Sequence, residues 1–138
     1  MTAAAHTPAR THDLRVGPIT RTQIVRFAGA GGDFNPMHHD EPFAVAAGQP
    51  SVFAMGQLSA ALLARLVSDW VGAQQIRELS VRFTAKVWPG DELDLHGEVT
   101  KELEGPAGEA LWHCELTATR DGGEVAARGV ATVTVNDG

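Results

Sequence analysis

Residues 55–72 read MGQLSAALLARLVSDWVG, and residues 78–87 read ELSVRFTAKV. The change of period between these two stretches decides the fold. In the first, Leu58, Leu62, Leu66 and Trp70 recur at every fourth position, while Ala61, Leu63 and Val67 widen the apolar stripe. Gln57, Arg65, Ser68 and Asp69 lie mostly off it. A helix apolar over most of its circumference is a buried helix, and Gly72 is placed to end it. In the second stretch Leu79, Val81, Phe83, Ala85 and Val87 alternate with Glu78, Ser80, Arg82, Thr84 and Lys86. That alternation predicts a strand with one wet face.

The period of two continues to the end of the chain. WPGDE (88–92) is a turn, and ELDLHGEVTK (92–101) alternates through Leu93, Leu95 and Val99. EGPAGE (104–109) is a loop. ALWHCELTAT (110–119) and EVAARGVATVTV (124–135) read as two further strands joined by the DGG hairpin turn. About four consecutive antiparallel strands must cover one apolar face, and the long apolar element available is the 57–70 helix. The expected class is α+β, a single domain with a curved antiparallel sheet wrapped around a central helix.

The first half predicts shorter pieces. VGPIT (16–20) is a break. TRTQIVRFAGA (20–30) reads as a short helix, with Thr20 and Gln23 spaced as a capping box and Ile24, Phe27 and Ala28 on one face. Gly31 and Gly32 stop it. Asp40 is placed to cap EPFAVAA (41–47), with Pro42 in its first turn and Gly48 at its end. The opening MTAAAHTPARTHD reads as a polar tail, so residues 1–15 are assigned to a flexible tail and 16–136 to the domain.

At 138 residues and 43% hydrophobic the chain can build a core without staples. Its net charge of −6 argues against a general nucleic-acid binder. The single cysteine, Cys114, excludes an internal disulfide and a multi-cysteine zinc site. It shares a strand face with Trp112 and Leu116 and reads as core. No stretch has the length of a membrane span, and the N-terminus has no apolar signal core, so a cytoplasmic location with no membrane partner is expected.

The chemistry is concentrated in GGDFNPMHHDEP (31–42). Singly, Asp33 is a turn aspartate beside glycines and His38 a half-exposed loop histidine. Together they repeat a known pattern. FAGAGGDFNPMHHDEPFAVAAG (27–48) resembles the hydratase-2 motif of the MaoC-like dehydratases, (R)-specific enoyl-thioester hydratases of the hot-dog fold. The match is carried by Gly32, Asp33, Asn35, Pro36, Met37, His38 and Asp40. The resemblance extends over about residues 18 to 135, and VWPGDEL (87–93) is similar to the family's strand and turn after the central helix.

The resemblance implies hydration of a trans-2-enoyl thioester, or dehydration of a 3-hydroxyacyl thioester. That reaction needs a base for water, an acid for Cα and stabilisation of the enolate oxygen. It implies Asp33 and His38 as the water-activating pair, with Asn35 orienting water or holding its own loop. In SVFAMGQL (51–58), Gly56 matches the family glycine whose N–H faces the thioester carbonyl, at a helix N-terminus that offers free N–H groups. The family's histidine before that glycine is Met55 here, the methionine after it is Gln57, and Ala64 stands where some members carry serine. Phe53, Met55, Gln57 and Ala60 are the expected lining of the acyl pocket.

No metal is expected. His39 and Asp40 are adjacent and diverge, and Asp40 has a capping role. His96 and His113 lie on strands facing solvent or a partner. Arg77, Arg82 and Lys86 read as a wet strand face, with coenzyme A phosphates as the other reading. No cofactor is implied beyond the thioester carrier, coenzyme A or acyl-carrier protein. A hot-dog acyl-thioesterase is the first alternative, but its carboxylate belongs on or near the central helix, and Asp69 lies at the far end from Gly56. The second is the catalytic subunit of a heteromeric MaoC-like dehydratase, inactive without its partner. HHDEPFAVAAG (38–48) and VSDWVG (67–72) look similar to actinobacterial subunits of that kind, which act on bulky or long acyl groups. A homodimer, or a heteromer with a second MaoC-like subunit, is expected by resemblance.

Overall fold

The computed structural model describes residues 7–135. In chain order it has β1 (Thr11–Val16), α1 (Arg21–Gly31), α2 (Glu41–Ala46), α3 (Gly56–Val71), β2 (Ile76–Phe83), β3 (Leu93–Glu104), β4 (Ala110–Arg120) and β5 (Val125–Thr134), with single 3-10 turns at 36–38 and 73–75. The strands form one antiparallel sheet in the order β1-β3-β4-β5-β2. The sheet curls around α3 in the hot-dog arrangement.

α3 is where the periodicity placed it. Leu58, Leu62, Leu63, Leu66, Val67 and Trp70 are buried, while Ala61, expected in the apolar stripe, is exposed. The facing residues of the sheet are Leu93, Leu95, Trp112, Cys114, Leu116, Ala118, Ala127, Ala131 and Val133, all buried with the helix in one core. Trp70 fits because Gly97 lacks a side chain, since a Cβ there would stand 2.9 Å from the indole. The indole N–H donates to the Ala9 carbonyl at 2.7 Å.

That contact corrects the reading of the N-terminus. The expected tail over 1–15 is ordered at residues 11–15, where β1 pairs Thr11 with Glu98 through to Val16 with Leu93. Its alternation is short, with Thr11, Asp13 and Arg15 exposed and His12, Leu14 and Val16 half-buried, as suits an edge strand. Arg15 reaches Glu92, Asp94 and Asp121, tying that edge to two neighbours. Residues 1–6 of the expected tail, and the domain end at 136, lie outside the described residues.

Two further expectations change. The four later strands are not consecutive neighbours, because β2 pairs with β5 and not with β3. Strand β2 also ends at Phe83, short of Val87. The N–H groups of both Thr84 and Ala85 meet the Ala126 carbonyl, at 2.9 and 3.2 Å, which breaks the pairing and turns the chain inward so that Val87 is still buried.

Leu63→Ala should cost about 2–5 kcal/mol, because a buried leucine leaves a cavity. Leu103→Ala, at an exposed position, should shift stability by no more than about 0.5 kcal/mol. Urea denaturation of the two variants checks the contrast.

Candidate active site

The site begins at the end of α1. Thr20 caps the start of that helix by accepting from the Gln23 N–H at 3.0 Å. Gly32 ends it in the left-handed conformation, φ 71°, where glycine is unstrained. Asp33 therefore leaves the helix at a sharp angle, its own N–H bonded back to Ala28.

From there each polar group has one task. Asp33 Oδ1 accepts from the Asn35 N–H at 3.3 Å. Asn35 Oδ1 accepts from the Met37 N–H at 3.1 Å and so caps the 3-10 turn, with Pro36 as its first residue. Asn35 thus holds its own loop. The turn delivers His38, only 6% exposed, and not the half-exposed loop histidine of the single-residue reading. Its Nδ1 lies 2.6 Å from the Phe53 carbonyl. Only an N–H satisfies a carbonyl, so the neutral ring carries its proton on Nδ1. The Nε2 lone pair then faces Asp33 Oδ2 at 3.5 Å. That gap is too long for a direct hydrogen bond and small enough for one water oxygen to touch both atoms.

The segment before α3 is stitched to this loop. The Phe53 N–H donates to Met37 and the Ala54 N–H to Val87, at 3.3 and 2.8 Å. The Phe53 ring meets His38 and Trp88 edge to face, and Lys86 Nζ stands 5.3 Å over it. Three residues on, α3 opens at Gly56 with no side chain capping its N-terminus. Gly56 also has a packing role, since a Cβ there would lie 2.7 Å from the Phe83 ring. Phe83 is nonetheless 46% exposed, at the end of an edge strand. Of the other expected lining residues, Met55 is buried in the core, Ala60 is half-buried and Gln57 is exposed.

Three parts of the site were missed in sequence. The Phe53 carbonyl is main chain and has no signature. Trp88 belongs to the WPGDE turn, and its residue type alone does not mark a site. The third is a clamp in which Arg21 binds Glu41 at 2.6 Å while Glu41 also accepts from the Val52 N–H, joining α1, α2 and the segment before α3. The Arg21 hydrogen bond, then the Val52 N–H, holds the Glu41 carboxyl below its ordinary range. His39 and Asp40 diverge as expected. His39 turns to the Phe34 carbonyl at 3.4 Å, and Asp40 caps α2 through the Phe43 N–H at 3.2 Å.

Residues 3–109 match the sequence profile of the MaoC like domain. This chain belongs to the MaoC-like family. It is 34% identical over 85 residues to the 3-oxo-4,17-pregnadiene-20-carboxyl-CoA hydratase beta subunit of Mycobacterium tuberculosis, a match covering 61% of this chain and 66% of that one. The chain thus spans just under two thirds of that relative's length. Among solved structures it superposes on the ChsH1-ChsH2 complex of Mycobacterium tuberculosis with a TM-score of 0.79 and 25% identity, covering 99% of this chain and 100% of that one. A MaoC-like dehydratase from Rhodospirillum rubrum gives a TM-score of 0.74 and 26% identity over 94% and 92% of the two chains. The (R)-hydratase from A. caviae gives 0.82 at 24% identity, covering 97% and 100%, a likeness of fold.

Two outcomes are expected of this MaoC-like domain. The Glu41 carboxyl should titrate below the ordinary glutamate range, and Arg21→Ala should move its midpoint upward. Because the folded value is depressed, this pair stabilises above the unfolded value and is lost as pH falls through the folded one; carboxyl-carbon NMR over an acid titration checks both. Burial pushes the Cys114 thiol up to about 11. It should resist a disulfide reagent near neutral pH in the folded protein and react at once in urea.

Proposed function

We propose that this chain catalyses reversible, (R)-specific hydration of trans-2-enoyl thioesters, carried on coenzyme A or acyl-carrier protein. The observation that carries this reading is the orientation of His38, whose Nδ1–H rests on the Phe53 carbonyl and whose Nε2 opposes Asp33 across 3.5 Å. Hydration takes one proton from water as its oxygen bonds to Cβ, and delivers one proton to Cα. A carboxylate and an unprotonated imidazole nitrogen sharing a single water take its proton as the oxygen bonds to Cβ and return that same proton to Cα, so the pair ends as it began. The uncapped N-terminus of α3 at Gly56 supplies N–H groups and partial positive charge for the enolate oxygen. Phe53, Met55, Gln57 and Ala60 are proposed as the acyl lining, and the setting as cytoplasmic.

A thioesterase is disfavoured. Asp69 sits at the opposite end of α3 from Gly56 and turns to Arg65 at 3.6 Å.

A second reading, the catalytic subunit of a heteromer, is supported by a specific observation. Phe34, next to Asp33, is 72% exposed, and Phe43, Val45 and Phe83 are also exposed. Apolar surface around a catalytic loop is what a partner subunit would cover. The similarity to a beta subunit and to a two-chain complex supports the same idea.

With purified chain and a series of enoyl-CoA esters, loss of the conjugated enoyl absorbance without thiol release is expected. Asp33→Asn and His38→Ala should each lower turnover by about 10²-fold or more while circular dichroism stays unchanged. Thiol release, or near-normal turnover in both variants, would refute the reading. Activity that emerges only with a second MaoC-like chain would select the heteromer.

A further inference from the structure

The outer face of the sheet, turned away from α3, carries charges in an order that an isolated sheet does not favour. Arg82 of β2 and Arg128 of β5 are register partners. Glu98 of β3 and Glu115 of β4 are register partners too. Like charges directly opposite on adjacent strands repel. Among the described residues none of the four makes an ion pair, whereas Arg10, Arg15, Arg21, Arg65 and Arg120 all do. All four line one open groove of about 460 Å³, together with Ser80, His96, Thr117 and Val130.

The register fixes how the two pairs lie. Arg128 is opposite Thr117, and Val130 is opposite Glu115. The basic pair is therefore displaced from the acidic pair diagonally, by two strands across and one same-face step along. Thr117 and Val130 sit on the line that divides them. Val130 is one of the exposed large apolar residues of the chain.

We propose that this face docks a second copy of the chain through a two-fold axis lying in the plane of the face, oblique to the strands. The axis runs along the Thr117–Val130 line. It sets the basic pair of each copy over the acidic pair of the other, as a self-complementary interface requires. Both repulsions are relieved at once, and each charge gains opposite partners. Val130 on the axis meets its own counterpart, so its apolar surface is covered. This interface lies on the opposite side of the sheet from α3 and goes beyond the catalytic reading.

Sedimentation of the full chain tests it. Arg128→Glu and Glu115→Arg should each weaken self-association at about 0.15 M salt by at least about tenfold, and higher salt should weaken the unaltered chain. The double swap should restore association to within about threefold, because the exchanged charges again face opposites. Val130→Cys should form a disulfide-linked dimer on mild oxidation, a test independent of how the swaps fold, since the native Cys114 is buried. A chain that is monomeric, association indifferent to both single swaps, a double swap that fails to restore it, or a Val130→Cys chain that does not cross-link would overturn the proposal.

Discussion

Burial of α3 is the constraint on which the rest of the structure depends. Its apolar stripe is too wide for one flat surface, so the sheet must curl around it. Each fully buried leucine contributes about 1.5–3 kcal/mol, and Leu58, Leu62, Leu63 and Leu66 together anchor the helix in one register. The sheet can come close because it offers small residues on its inner face, Gly97 under Trp70 and Ala118, Ala127 and Ala131 elsewhere. Once the helix is fixed, so is its first residue, Gly56, and the segment leading to it. Phe53 in that segment then presents its carbonyl to His38. Packing of the core thus sets the direction of a ring nitrogen.

Local features were legible in the sequence where one side chain decides them. The Thr20 and Asp40 caps, the span of α3, the buried Cys114 and the hairpin between β4 and β5 all follow from residue type and spacing. Non-local features were not. β1 is an edge strand whose outward residues are polar, so its six residues resemble a tail until Trp70 and β3 are placed beside it. That β2 crosses to β5 depends on the closure of the sheet, which no local pattern encodes. The pairing of Asp33 with His38 was readable from their spacing and from the family resemblance. The main-chain carbonyl that orients His38 was not, because carbonyls carry no residue identity.

Surface charge has two different roles here. Arg15, Arg21 and Arg120 are spent within the chain, joining edges, helices and turns. The exposed pairs of Arg15 and Arg21 add little stability each and mainly fix geometry, while the Arg120–Asp91 pair is part-buried. The charges of the outer sheet face stand apart from them in being matched like to like, which places their complement outside the chain. With the exposed aromatic residues around Asp33, the molecule presents two surfaces of different chemistry, one apolar beside the Asp33–His38 loop and one charged on the sheet.

The central claim is that a backbone carbonyl holds His38 with Nδ1 protonated and Nε2 directed at Asp33. Nitrogen-15 NMR of the histidine ring in the folded chain tests it most directly. The account predicts that the neutral ring is the Nδ1–H tautomer, with Nε2 unprotonated and its shift moved by Asp33→Asn. An Nε2–H tautomer, or an Nε2 signal indifferent to Asp33→Asn, would contradict it.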